Sequence, residues 1–430
     1  MPAKKSSRKL PAAITRNAAV PLAKRAGYCY DHYSMFTPVY LDNHATTRVD
    51  PRVIEAMLPY FSDHFGNAGS TSHSFGWYAR DAVDQARETV ARAINASPRE
   101  IVFTSGATES NNLAIRGVAE RTRRRGNHLV SVATEHKAVL DPLARLGRRG
   151  FEVALLPVAP ANQPNAGWLD PQQLADSLRE DTLLASIMWA NNEIGVIHPL
   201  AEISATLQKR GVLFHCDATQ AVGKIPVDVR AIPVDLMSFS AHKVHGPKGV
   251  GALYVRRNSP PLRLEPLLDG GGQEQGLRSG TLNVPGIVGF AKALELAIAE
   301  SSAEAQRQRE LRDRLCASLQ SAITGVTLNG PTLDNPNLRL AGNLNCRFDY
   351  VDGEALMMNL REVAVSSGSA CTSTNPEPSH VLRALGLDSD QARSSLRFGL
   401  GRFTTAEEID FAVLAIAETV TKLRKMSSMA

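Results

Sequence analysis

Between residues 101 and 255 the chain carries seven short apolar runs: Ile101–Phe103, Leu129–Val132, Val153–Val158, Leu183–Met188, Val212–Phe214, Leu236–Phe239 and Ala252–Val255. Each is followed by polar or glycine-rich residues, and stretches of helical spacing such as Gln172–Leu178 and Leu200–Lys209 separate some of them. A strand with one wet face alternates apolar and polar residues, whereas a strand that is apolar throughout must be covered on both faces. Such runs alternating with helices predict an α/β fold built on a buried, mostly parallel sheet. Ligands of these sheets sit at the carboxyl ends of the strands, and the unusual residues of this chain fall there. The spacing also predicts a helix over Tyr78–Ile94 and a long charged one from about Ile287 to Leu319. The second would lead into a further domain of about 110 residues, an ordinary domain size. The expected organisation is a leader at 1–34, a large domain at 49–300, and a smaller α+β domain formed by 35–48 and 301–430.

Composition excludes several classes. Of 430 residues 43% are hydrophobic and 21% charged, which is ordinary for a globular chain and rules out a fibrous or disordered one. No apolar run approaches the roughly 18 residues that span a bilayer, so no membrane association is expected. The net charge of +5 belongs to residues 1–34, which hold Lys4, Lys5, Arg8, Lys9, Arg16, Lys24 and Arg25 against Asp31 alone. The rest is close to neutral, so no direct nucleic-acid binding is expected. The leader resembles an organellar transit peptide in composition. A solvated tail, or a natural start at Met35, is the plainer reading, giving a cytoplasmic location with a mitochondrial one as the alternative. The five cysteines (Cys29, Cys216, Cys316, Cys346 and Cys371) are odd in number and widely spaced, without a CxxC pair. That argues against a disulfide framework and a metal site, and fits a reducing compartment.

Four segments carry chemistry. In Thr104–Asn112 a strand enters a small-residue turn and then a helix, a start that exposes backbone N–H groups to an anion; a plain capped helix, with Ser105 or Thr108 as cap, reads equally well. In Phe239–Gly249 a strand delivers Lys243 into a Gly/Pro-rich turn. A partly desolvated lysine there can form a Schiff base with an aldehyde, with Ser240 and His242 as phosphate contacts, although most lysines are simply exposed. In His215–Gln220 an acid, Asp217, ends a strand; it can pair with a protonated pyridine nitrogen or cap the next helix. A fourth segment, Ser366–Pro378, sets Cys371 in small, polar residues unlike a core, as a thiol on a mobile loop would be.

Together and in order, these segments closely resemble the cysteine desulfurases, fold-type I pyridoxal-phosphate (PLP) enzymes of the class V aminotransferase group. The resemblance runs from about Tyr40 to Leu423. It is carried by YLDNHATT, GNAGSTSHSFG, IVFTSGATESNNLAIRG, TEHKAVLD, NNEIGV, DATQAVGK, DLMSFSAHKVHGPKGVGALYV, GLRSGTLN, SSGSACTS, EPSHVLRALG and SSLRFGLGRFTT. It implies that Lys243 carries PLP, that Asp217 holds the pyridine nitrogen and Gln220 the ring hydroxyl, and that His136 stacks on the ring as acid/base. Ala107, Thr108, Ser240 and His242 would bind the phosphate. Thr281 would reach the phosphate of a neighbouring subunit, implying a homodimer. Asn192 and Arg397 would hold the carboxylate of L-cysteine, a task suited to the bidentate Arg fork. Cys371 would be the nucleophile, with His136 its candidate base, because a free thiol of pKa about 8.5 must be deprotonated to attack.

The implied reaction turns L-cysteine into L-alanine and leaves a persulfide on Cys371 for an acceptor, either an iron–sulfur scaffold or a tRNA-thiolation relay. Any contact of Cys371 with an iron–sulfur cluster would be transient. The SSGSACTS loop resembles the housekeeping, iron–sulfur-assembly branch. That branch commonly continues into a tail that docks the scaffold, whereas this sequence stops at Ala430, which puts that docking mode in doubt. Asp269 and Gln275 depart from the family pattern at positions without a catalytic role. The competing readings are a selenocysteine lyase; a class V transaminase, which would have no use for Cys371 on a loop; and a silent sulfur-carrier or scaffold protein, against which the intact Lys243, Asp217 and phosphate segments argue.

Overall fold

Every residue of the strand Thr182–Ser186 is buried, the mark of a central strand with helices on both faces. The computed structural model describes residues 38–257, 261–367 and 377–427; the leader at 1–34, Cys29 and Cys371 lie outside them. Its strands in chain order are β1 (Val39–Tyr40), β2 (Ile101–Thr104), β3 (His128–Val132), β4 (Glu152–Leu156), β5 (Thr182–Ser186), β6 (Leu213–Asp217), β7 (Leu236–Ser240), β8 (Gly251–Val255), β9 (Val326–Leu328), β10 (Asn343–Phe348), β11 (Val363–Ala364) and β12 (Ser395–Gly399). Seven of them form one sheet in the order β2-β8-β7-β6-β5-β3-β4. Each of the seven apolar runs supplies one strand. The β4–β3–β5–β6–β7 pairs are parallel, and β8 runs antiparallel to both of its neighbours. At the edge of the sheet, β4 leaves Glu152 and Leu155 exposed, one on each face.

The expected helices are present as Ser74–Arg92, Pro171–Ser177, Leu200–Arg210 and Val284–Ala322. The last is 39 residues long and serves two cores. Its first part, including Ile287, Phe290 and Leu294, packs into the core of the large sheet, and Leu311, Leu315 and Leu319 pack into a second core. The second core lies against the antiparallel sheet β12-β10-β9 and is completed by Leu41, Phe348, Phe398 and Ile416. At the second core, β1 pairs in parallel with β11, with Val363 in that core and Val39 packed against it. The short helix His380–Ala384 sends Val381 and Leu382 into the large-sheet core, although β12, which follows soon after it, belongs to the antiparallel sheet.

Two features of this frame shape the site. The β7–β8 hairpin, with Ser240 opposite Gly251, fixes both ends of the turn that holds Lys243. The turn is stitched to the N-terminal segment by Thr47 N–H donating to the His242 carbonyl (3.0 Å), His245 N–H to Thr47 Oγ1 (2.8 Å) and Asp50 N–H to the His245 carbonyl (3.0 Å). Gly251 must also lack a side chain, because a Cβ there would lie 2.7 Å from both Gly106 Cα and the Phe239 carbonyl oxygen. Gly251→Ala is therefore expected to cost about 1–3 kcal/mol of overpacking and to shift the Gly106 turn. Thermal unfolding would show a lower Tm, and cofactor titration a weaker affinity.

Candidate active site

The parallel strands release the chain at one edge of the sheet, where a cavity of about 570 Å³ opens. The turn after β2 and the start of the helix Ala107–Thr122 form one wall. The first N–H groups of a helix have no partner within it, and its dipole favours an anion there. Gly106 makes the turn at φ +155°, a conformation that L side chains avoid. Ala107, Thr108, Ser240 and His242 all line this end. Burial, helped by Lys243, Lys248 and Lys224, pushes the His242 imidazole down to about 4, so it is neutral at pH 7.

Asp217 ends β6 and is almost fully buried. Its Oδ1 accepts from Thr219 N–H (2.9 Å) and its Oδ2 from Asn111 Nδ2 (2.7 Å). It therefore caps the following turn and also faces the cavity. Gln220 is fixed from two sides: its Oε1 lies 2.5 Å from Lys224 Nζ and 3.1 Å from His44 Nδ1, and its Nε2 donates to the His44 carbonyl at 3.0 Å. Lys243 Nζ donates to the carbonyls of His44 (2.6 Å) and Ala45 (2.5 Å). His136 is the N-cap of the helix Lys137–Gly147, its Nδ1 accepting from Ala138 N–H at 3.0 Å. Burial pushes the His136 imidazole down, against the opposing pull of Asp217.

Arg397 comes from β12, so the antiparallel sheet contributes to the cavity. It pairs with Asp42 at 2.8 Å and donates at 3.4 Å to the carbonyl of Asn192, another lining residue. Thr281 is exposed and lies outside the cavity lining. Three residues earlier, Arg278 binds Glu109 of the cavity at 2.9 Å. Asp269 is exposed, and Gln275, in a left-handed conformation at φ +61°, bonds Arg257 and the Arg99 carbonyl on the outside.

Four buried polar atoms around this cavity lack a hydrogen-bond partner among the described residues: His44 Nε2, Asn111 Oδ1, Thr219 Oγ1 and Arg397 Nε. Buried polar groups are nearly always paired, and each one left unpaired costs about 1–3 kcal/mol. A polar ligand relieves that deficit. The lysine at a strand end, the acid beside it, the helix start and the orphaned atoms together fit PLP, whose aldehyde, pyridine nitrogen and phosphate have matching chemistry. Sequence reasoning did not single out His44, Asn111, Glu135 or His380. All four lie inside quoted motifs, but one sequence does not show which motif residues face a cavity.

Glu135, fully buried beneath His136, accepts from Met188 N–H. Burial, with Asp217 nearby, pushes its carboxyl well above the ordinary 4.5. The folded state therefore holds a proton that the unfolded chain releases. The resulting stability is complete below about pH 4.5 and declines as pH rises toward the folded value. Glu135→Gln removes the titration and is expected to gain on the wild type as pH rises; Tm measured against pH for both proteins checks this.

Comparison with known proteins agrees with this geometry. Residues 39–411 match the aminotransferase class-V family model. A cysteine desulfurase IscS of Anaeromyxobacter sp. (strain Fw109-5) is 58% identical over 92% of this chain and 95% of its own length. That of Methylococcus capsulatus is 54% identical over 92% and 95%. Among solved structures, a NifS-like protein superposes with a TM-score of 0.82 at 39% identity, covering 90% of this chain and all of its own. A structure titled SspA in complex with cysteine superposes at 0.74 with 36% identity, covering 86% and 100%. The chain belongs to the class-V aminotransferase family, in its cysteine desulfurase branch, and its cofactor is pyridoxal phosphate in a fold-type I architecture.

Proposed function

We propose that this cavity converts L-cysteine to L-alanine and that the sulfur leaves as a persulfide on Cys371. The observation that carries the reading is one cavity that joins Lys243, Asp217 and unsatisfied buried donors and acceptors to both ends of the segment bearing Cys371. Ser366, five residues before that cysteine, pairs through its backbone with Arg397 (2.7 Å and 3.3 Å). Glu377, Ser379 and His380, shortly after it, line the cavity.

In this reading Lys243 would carry PLP, Ala107, Thr108, Ser240 and His242 would hold its phosphate, Asp217 and Gln220 would hold the ring nitrogen and hydroxyl, and His136 would contact the ring. When bound, the cofactor serves as the electron sink for charge developed at the substrate α-carbon. Arg397 and Asn192 orient the substrate carboxylate, and the orphaned Arg397 Nε gives the guanidinium an N–H for it beside the Asp42 pair. The Lys243 amine takes up the α-proton. The Cys371 thiolate then attacks the substrate sulfur: an S–S bond forms, the C–S bond breaks, and its electron pair stays with carbon, which is protonated to alanine. The persulfide passes to an acceptor protein, an iron–sulfur scaffold or a tRNA-thiolation relay, in the cytoplasm.

The reading includes a homodimer. Phe61, Phe65, Trp77 and Tyr78 are each more than half exposed, and Phe75 nearly so. Phe65 and Phe75 lie 5.3 Å apart and His64 and Tyr78 6.0 Å apart, centroid to centroid. A contiguous aromatic surface of this kind marks an interface, and a second copy placed on it could use the exposed Thr281. The division into domains at 49–300 and at 35–48 with 301–430 is part of the same proposal. Among the described residues no helix is long and apolar enough to cross a membrane.

Three variants test the proposal. Cys371→Ala should lose alanine and sulfide release by at least about 10²-fold, the scale of losing a nucleophile, while keeping the cofactor's visible absorbance. Full activity in that variant would refute the nucleophile. Lys243→Ala should lose the covalently bound absorbance band. Phe75→Asp should sediment as a monomer where the parent sediments as a dimer.

A further inference from the structure

Four histidines line the cavity: the unpaired Nε2 of His44 is buried, His242 at the helix-start end meets the Thr46 hydroxyl, and for His136 and His380 the hydrogen-bond partner assigns the neutral tautomer. His136 Nδ1 accepts from Ala138 N–H at 3.0 Å, so that nitrogen carries the lone pair and the proton sits on Nε2. Burial pushes this imidazole down, which favours the neutral ring. In that form His136 has only an N–H left for the cavity, making it a donor. His380 is bonded in the opposite sense. Its Nε2 lies 2.8 Å from the Glu135 carbonyl oxygen, which can only accept, so Nε2 carries the proton here too. The nitrogen left over is Nδ1, with its lone pair. The same tautomer thus gives one ring an N–H to offer and the other a basic nitrogen.

His380 is also held in place. Ser379, its predecessor, is buried, donates through Oγ to Glu193 Oε2 (2.5 Å) and accepts from Leu382 N–H (3.2 Å), capping the helix His380–Ala384. The ring therefore projects into the cavity from an anchored backbone. The charged and titratable groups nearest it are Glu193 and Glu135 below, His136 and Lys137 on the facing helix start, Arg397 from β12, and Glu377 on its own segment.

We infer that His380, rather than His136, is the proton acceptor of this cavity: its Nδ1 takes the proton that a thiol must lose before it attacks sulfur. The step is a balanced transfer, in which the S–H bond breaks, an N–H bond forms at Nδ1, and the thiolate and imidazolium charges appear together. Glu193 stands near the imidazolium, and the Glu135 carbonyl keeps the Nε2 proton throughout. The assignment rests on the desulfurase reading and adds a residue to it. His136 keeps a donor role, aimed at whatever charge develops above Asp217.

The test is single-turnover alanine formation from L-cysteine by the holoenzyme, followed from about pH 6 to about pH 9.5, a range that brackets the ordinary thiol value of about 8.5. His380→Gln keeps an N–H for the Glu135 carbonyl and removes the base. It is expected to be about 10²-fold slower near neutrality, the lower end of a general-base contribution, and to recover as the thiol ionises unaided. His136→Gln is expected to slow without that recovery. The visible absorbance of the cofactor shows that each variant is folded and loaded. Nitrogen-15 spectra of histidine-labelled protein should show both rings protonated at Nε2. A wild-type pH profile in His380→Gln, or a His380 protonated at Nδ1, overturns the assignment. A wild-type holoenzyme that forms no alanine from cysteine overturns the desulfurase reading itself, and the thiol step with it.

Discussion

The parallel pairing of β6 with β7 is the constraint on which the site depends. It sets Asp217 opposite Ser238, so the acid ends its strand two residues before Ser240 begins the lysine turn. Parallel neighbours end at the same edge of a sheet, and an antiparallel pair would have sent these groups to opposite edges. The hairpin to β8 then returns the chain beside Gly106, next to the first turn of the helix Ala107–Thr122. Strand order thus brings an acid, an amine and a helix start together before any side chain touches another.

The second element is the short N-terminal segment. It has only two residues of strand, yet it supplies the carbonyls that hold Lys243, the imidazole against Gln220 and the Asp42 carboxylate on Arg397. Arg397 is nearly fully buried, and a buried guanidinium without a partner is costly. Asp42 meets that need with one oxygen and leaves Nε unsatisfied. The pair ties the antiparallel sheet to the cavity through a residue 355 positions away in sequence. A displaced N-terminal segment would loosen the lysine, the glutamine and the arginine together.

The fold was legible where one local signal sufficed. The apolar runs marked every strand of the large sheet, because burial on both faces of the inner strands leaves a continuous rather than alternating pattern, and the long helix read from charge and spacing alone. Lys243, Asp217 and the helix start were each ambiguous singly and gained meaning from their order. What stayed hidden came from contacts between distant segments. The bonds of His44 to Gln220 and of His380 to the Glu135 carbonyl span 176 and 245 positions, beyond the reach of any periodicity. The role of Asn111 depends on which face of its helix turns toward β6. Thr281 reads as a site residue only through a second copy, since within one chain it is exposed.

Both histidines show why residue identity is a coarse guide to chemistry. An imidazole offers a proton or takes one according to what occupies its other nitrogen. At His136 the other nitrogen is spent on capping a helix, a local and structural demand. At His380 it is spent on a backbone carbonyl delivered by the residue just before His136, so Glu135 and Ala138, on either side of the helix start, serve the two rings. The cap that starts the helix Lys137–Gly147 and the carbonyl beside it therefore divide acid from base across the cavity. The Glu135 carboxyl itself is buried and pushed up, which favours its neutral form beside the pair. The division of labour is written in backbone hydrogen bonds, and a substitution that moved the helix start by one residue would exchange a donor for an acceptor without changing either histidine.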